Sequence, residues 1–142
     1  MLKGLSPLLT PDLLYALAQM GHGDEIAIVD RNYPAVAASR QVIRLDGVDL
    51  PTAARTVLSV LPLDTFTTTP LKAMQMVDDP STVPDVQQEI QRIATEIEAR
   101  PVPLTHVDRF AFYEHTRSIF ATVTTTEPRP YGCVILTKGV IN

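Results

Sequence analysis

The stretch Thr10–Asp30, "TPDLLYALAQMGHGDEIAIVD", decides the fold class, because it passes from a helical to an extended pattern across one short turn. Thr10 supplies a side-chain oxygen for free amides, Pro11 loses nothing by lacking an N–H at the first helical position, and Asp12 lies near the positive end of the dipole. Leu13, Leu14, Leu17 and Met20 follow at helical spacing and form one apolar face. Gly21 is expected to close the helix in the left-handed conformation. "EIAIVD" then reads as a short buried strand, with Asp30 at its end and the "RNYP" turn beyond. His22 and Asp30 therefore fall at opposite ends of one strand.

The rest of the chain repeats this alternation. "QVIRLDG", "PLKAMQMV", "PVPLTHV", "IFATVTTT" and the end of "EPRPYGCVILTKG" read as short strands. "DLPTAARTVLSVLP" reads as a helix begun at Pro51 and ended at Pro62, and "DRFAFYEHTRS" as one capped by Asp108. In "STVPDVQQEIQRIATEIEAR" the stripe Val86, Ile90, Ile93, Ile97 predicts an amphipathic helix with glutamates and glutamines on its remaining surface, the acids forming a solvated face. Helices interleaved with buried strands predict an α/β sandwich in which one sheet is covered on both faces. No repeat or low-complexity linker divides the chain, so one domain over residues 1–142 is expected.

Composition narrows the function classes. Of the 142 residues, 45% are hydrophobic and 20% charged, values of an ordinary packed domain. A formal net charge of −4 and no basic run argue against nucleic acid as a partner. Cys133 is the one cysteine, which excludes an intrachain disulfide and suits a reducing compartment. Pro7 and Pro11 break the early apolar run, and no uncharged apolar stretch nears the ~20 residues needed to span a bilayer. A soluble cytoplasmic protein is the expectation.

Familiar catalytic signatures are absent. There is no Gly-rich dinucleotide fingerprint, P-loop or G-x-S-x-G elbow, and His22, His106 and His115 have no i, i+4 relation, so no metal site is expected. Cys133 could act as a nucleophile with His22 as its base, although a lone cysteine in an apolar strand is more often a small core residue. What remains is a polar set of His22, Asp24, Asp30, His106, Arg109, Tyr113 and Tyr131. Histidine both takes and gives a proton near neutrality, and charged neighbours can hold hydroxyl groups, which would suit a polyol. Each member also has a plain structural reading: Arg109 as a helix-start charge, Tyr113 as a packed aromatic, Asp30 as a turn residue.

Four blocks, "MLKGLSPLLTPDLLYALAQMGHGDEIAIVD", "VIRLDG", "RFAFYE" and "YGCVILTKGV", together resemble the RbsD/FucU sugar mutarotases, in the same order and over nearly the whole chain. The "GHGDE", "RFAFYE" and "YG" segments are similar to the L-fucose mutarotase branch. The resemblance implies an RbsD-like three-layer α/β/α sandwich with a mixed sheet. It also implies an isomerase that interconverts sugar anomers by general acid–base chemistry, without cofactor or metal. By the same resemblance His22 matches the catalytic histidine, Asp30 and Arg109 match substrate-binding positions, and Tyr131, Gly132 and Cys133 match the tripeptide lining the sugar site. Gly21 and Gly23 would let a sugar ring approach the backbone beside His22.

Cys133 is a departure, since the family usually has asparagine there, and a thiol cannot reproduce two amide donors and a carbonyl acceptor. The resemblance further implies a homo-oligomer, typically a decamer of two pentamers, with sites formed between neighbouring chains. Alternatives stay open: a D-ribose pyranase, a mutarotase for another aldose, a non-catalytic monosaccharide-binding accessory of sugar uptake, or a structural oligomer.

Overall fold

The computed structural model describes residues 1–142. Six strands form one mixed sheet in the order β2-β5-β1-β6-β3-β4. They are β1 (Glu25–Val29), β2 (Val42–Arg44), β3 (Leu71–Met74), β4 (Leu104–Val107), β5 (Ala121–Thr124) and β6 (Val134–Thr137). The pairings β1–β5, β2–β5 and β3–β4 are parallel, whereas β6 runs antiparallel to both of its neighbours, β1 and β3. The last strand of the chain therefore joins two parallel halves at the centre of the sheet. All four of its residues are buried, as are Ile26 to Val29 of β1, which explains why these strands read as continuous apolar runs. At the rims β2 has only three residues and β4 is half-buried throughout, which limits pairing with another sheet.

Alternate side chains separate into two layers. Ile26, Ile28, Val134 and Leu136 point into a core of 28 buried residues shared with α1 (Pro11–Gln19), α3 (Leu50–Leu58) and α4 (Asp85–Glu98). Ala27, Val29, Cys133 and Ile135 point the other way, into a core of seven completed by Met74, Ile119 and Phe112 of α5 (Arg109–Thr116). The short α2 (Ala35–Ala38) packs beside α5, where the Thr116 hydroxyl donates to the Ala38 carbonyl at 2.9 Å. The α/β/α sandwich with a mixed sheet is thus present, with unequal outer layers. No helix is long and apolar enough to cross a membrane.

The caps expected at Thr10 and Asp108 operate: Thr10 accepts from the Leu13 amide at 3.3 Å and Asp108 from the Phe110 amide at 3.0 Å. Asp49, a cap not foreseen, accepts from the Thr52 amide at 2.9 Å, so α3 opens at Leu50 with Pro51 in its first turn. Two local expectations are corrected. Gly21 does not take the left-handed conformation: Met20 closes α1 in an extended conformation, and the positive φ of +85° falls on Gly23. Helix α2 was unforeseen in "RNYPAVAASR", because four residues are too few to display a period.

Candidate active site

The turn carrying His22 is fixed from both sides. The Gly21 amide donates to Asp24 Oδ2 at 2.7 Å, the Gly23 amide to the Lys138 carbonyl at 2.9 Å, and the Lys138 amide to the Asp24 carbonyl at 2.8 Å. His22 is thereby held at the exit of β6, its side chain 46% exposed. Its Nε2 lies 3.0 Å from Oδ1 of buried Asp64, and its ring is tilted against that of Phe66 at 5.2 Å. Burial acts to raise the Asp64 carboxyl, but the Phe66 amide, His22 and the Thr67 amide outweigh it, and the group titrates below the usual carboxylate range.

A second constellation surrounds the other end of β1. The first and last of the five residues of that strand are four steps of about 3.3 Å apart, which separates the two ends by roughly 13 Å. Asp30 is buried, accepts from the Asn32 amide at 2.9 Å, and receives the Cys133 thiol at 3.5 Å. Burial pushes its carboxyl above the ordinary aspartate value, an effect only partly offset by those bonds. Arg109, the first residue of α5, donates from Nε to Tyr113 Oη at 3.0 Å and lies 5.6 Å from the centre of that ring. Tyr131 has a φ of +60°, and its hydroxyl accepts from the Val77 amide at 3.2 Å. At Gly132 an added Cβ would lie 3.0 Å from Glu127 Cγ and 3.3 Å from the Arg129 carbonyl, a tight fit that needs a neighbour to shift.

Asp30, Arg109, Tyr131 and Cys133 all line one cavity of about 240 Å³. Gly132 lies between the lining residues Tyr131 and Cys133 but does not itself line the cavity. The volume lies below the roughly 300–1,000 Å³ of drug-sized sites, a scale for one small polar molecule. Asn32, Tyr33 and Met74 also line it and were not foreseen. Burial pushes the Tyr33 phenol up to about 12, so it stays protonated while bonded to Thr116 at 2.6 Å. A larger hollow of about 740 Å³ lies on the outer side of α3 and α4, lined by none of the polar set.

The remaining polar residues serve other ends. Fully buried Gln87 donates from Nε2 to the carbonyls of Met74 and Tyr131 at 2.7 and 2.9 Å, which leaves its oxygen for His106 Nε2 at 2.9 Å. His106 must donate there, and burial holds it below the ordinary histidine value, so it braces the wall of the cavity as a neutral ring. His115 bonds Glu25, which also pairs with Lys72. Cys133 cannot pair with His22 within one subunit, because it adjoins Asp30 at the far end of β1. Burial and the nearby Asp30 charge raise its thiol well above the free value, which removes the thiolate a nucleophile requires. No three histidine, cysteine, aspartate and glutamate side chains converge into a group able to hold a metal ion.

Residues 3–141 match the RbsD / FucU transport protein family. The chain belongs to this family. Among its relatives, the L-fucose mutarotase of Histophilus somni (strain 2336) is 40% identical over 141 residues, covering 99% of this chain and 97% of the relative. The fucose mutarotase of Homo sapiens is 43% identical over 150 residues, covering 99% and 94%. The crystal structure of the fucose mutarotase from Streptococcus pneumoniae in complex with L-fucose superimposes with a TM-score of 0.92 at 33% identity, covering 99% of this chain and all of that one. In this member of the RbsD / FucU family, then, the two constellations sit on a backbone shared along its whole length with proteins named for fucose.

Proposed function

We propose that the protein is an L-fucose mutarotase that interconverts the α and β anomers by general acid–base catalysis, with His22 as the proton-transfer group. Asp30, Arg109, Tyr131, Gly132 and Cys133 form the sugar-binding pocket in this reading. The observation that carries it is the pairing of a half-exposed imidazole with a small polar cavity, on a chain 40–43% identical to fucose mutarotases over nearly full length. The base removes the proton from the anomeric hydroxyl. The bond from C1 to the ring oxygen breaks with its electron pair moving to that oxygen, which takes up a proton, and an open-chain aldehyde results. Rotation about the C1–C2 bond presents the other carbonyl face, and the reverse steps restore both protons with the configuration at C1 inverted. Positioned proton transfer is worth about 10²- to 10⁴-fold.

His22 and the cavity lie too far apart to meet on one sugar within a subunit. In the proposed assembly, a ring-shaped homo-oligomer such as a decamer, His22 of one 142-residue domain faces the cavity of its neighbour. Exposed aromatic side chains support this: Phe66 stands beside His22 and Phe110 beside Arg109, 75% and 73% exposed, as expected of surfaces that another chain covers. The cytoplasm is the compartment proposed, where Cys133 stays reduced.

Saturation-transfer NMR of L-fucose tests the reading. Exchange should accelerate with the protein and return to about the spontaneous rate with His22→Ala. Mixed assembly of His22→Ala and Asp30→Ala chains should restore part of the exchange. Binding of L-fucose without acceleration would instead favour a monosaccharide-binding accessory, and acceleration confined to D-ribose would favour a pyranase.

A further inference from the structure

We propose that Asp64 is a positioning residue for His22: it holds the Nε2–H edge of the imidazole, so that Nδ1 is the nitrogen that takes the anomeric proton. The inference rests on the role of His22 proposed above. A surface ion pair would not need its carboxylate buried, yet the Asp64 side chain is only 5% exposed. The carboxylate is held by two backbone amides, Phe66 to Oδ1 at 3.2 Å and Thr67 to Oδ2 at 3.0 Å. With its remaining capacity it accepts from His22 at 3.0 Å. An ionised carboxylate only accepts, so the facing nitrogen must carry the hydrogen and the other keeps its lone pair.

The backbone around Asp64 is fixed independently. Arg100 Nη2 donates to the carbonyls of Leu63 and Asp64 at 3.3 and 3.1 Å, and the Leu63 amide donates to Glu98 Oε1 at 2.9 Å. Gly139 passes so close that a Cβ there would lie 2.8 Å from Asp64 Cα. The chain ends of α4 and β6 therefore locate a carboxylate that then locates the ring. Other charged groups near the turn are occupied: Asp24 by the Gly21 amide, Lys138 by the Gly139 carbonyl at 3.1 Å, Arg100 by the two carbonyls and Glu98. Asp64 alone among them bonds the imidazole.

The experiment joins ¹⁵N NMR of His22 in the full-length protein with the pH profile of L-fucose exchange. In the unmodified protein neutral His22 should be protonated at Nε2; a ring protonated at Nδ1 overturns the proposal whether or not any variant folds. Asp64→Asn keeps an acceptor but removes the charge. It should lower kcat about three- to tenfold with little change in KM, and move the acid limb of kcat/KM down by about one pH unit, the size expected for one lost opposite charge. Asp64→Glu should return the limb toward its original position. An unmoved acid limb in a folded Asp64→Asn protein would also overturn the proposal. Failure of the His22 reading shows separately, as exchange undiminished by His22→Ala.

Discussion

The two faces of the sheet are built differently. The face under α1, α3 and α4 has a core of 28 buried residues, whereas the face under α2 and α5 has seven and fills the remainder with the half-buried tyrosines 33, 113 and 131. A single strand serves both: along β1, Ile26 and Ile28 enter the thick layer while Ala27 and Val29 enter the thin one. Small residues on the thin side leave the space in which the 240 Å³ cavity opens between Asp30, Arg109 and Cys133. The lesson is a division of labour within one sheet, with most of the buried apolar area on one face and polar, adaptable groups on the other.

A matched pair of substitutions can break this comparison. Ile90→Ala in the thick core should cost about 4 kcal/mol and Ile119→Ala on the thin face about 2 kcal/mol, both within the known range for deleting a buried aliphatic chain. Thermal unfolding measures the two, and equal losses would mean that the faces do not differ in rigidity. The thin-face variant should also weaken L-fucose binding, since it lies in the cluster that includes Cys133 and Met74.

A smaller effect is expected at the seam between the faces. Fully buried Glu127 accepts from the Leu50 amide at the start of α3 and from Arg129 in the loop leading to the cavity, at 3.1 and 2.7 Å. The Arg129 bond, opposed by burial, holds its carboxyl below the ordinary glutamate value of 4.5. A depressed carboxyl contributes stability that is complete above 4.5 and is lost as pH falls through the lower folded-state value. Glu127→Gln should therefore cost about 2 kcal/mol at pH 7, in line with a charged hydrogen bond, and less at pH 3. Urea unfolding at the two pH values checks this. A cost independent of pH would assign Glu127 to packing alone.

The smallest effect concerns Cys133. Asparagine at this position could donate to Asp30 in place of the thiol and leave one amide hydrogen or oxygen for a sugar hydroxyl. Cys133→Asn should change stability by under about 1 kcal/mol and tighten L-fucose binding by about three- to tenfold, the worth of one neutral hydrogen bond. Calorimetric titration reads it. Unchanged affinity would mean that this position contributes its backbone only.

Much of the local structure was legible in the chain. All six strands and four of the five helices follow from periodicity, from prolines such as Pro51 and from the caps Thr10 and Asp108, because these signals act between near neighbours. Four residues were too few to reveal α2, and the choice between Gly21 and Gly23 for the left-handed turn depended on bonds to Lys138, a residue at the opposite end of the chain. Asp30, Arg109 and Tyr131 stood in the polar set read from the residues, whereas their sugar-binding roles, and those of Gly132 and Cys133, came from the resemblance alone. Asn32, Tyr33 and Met74 carried no signal, and neither did Asp64, whose bond to His22 spans 42 residues. Gln87 looked like part of a solvated helix face, yet it is fully buried as the bridge between His106, Met74 and Tyr131.

Sequence alone determined the six strands and every helix but α2, that His22 and Asp30 lie at opposite ends of β1, and the family to which the blocks point. Tertiary structure alone decided the strand order, the antiparallel insertion of β6, which alternate residues face the thick core, and the carboxylate that meets His22. The reason is physical. Local elements depend on spacings that any short window displays, whereas strand partners and side-chain bridges depend on which distant surfaces bury each other, and that is settled only when the whole sheet closes.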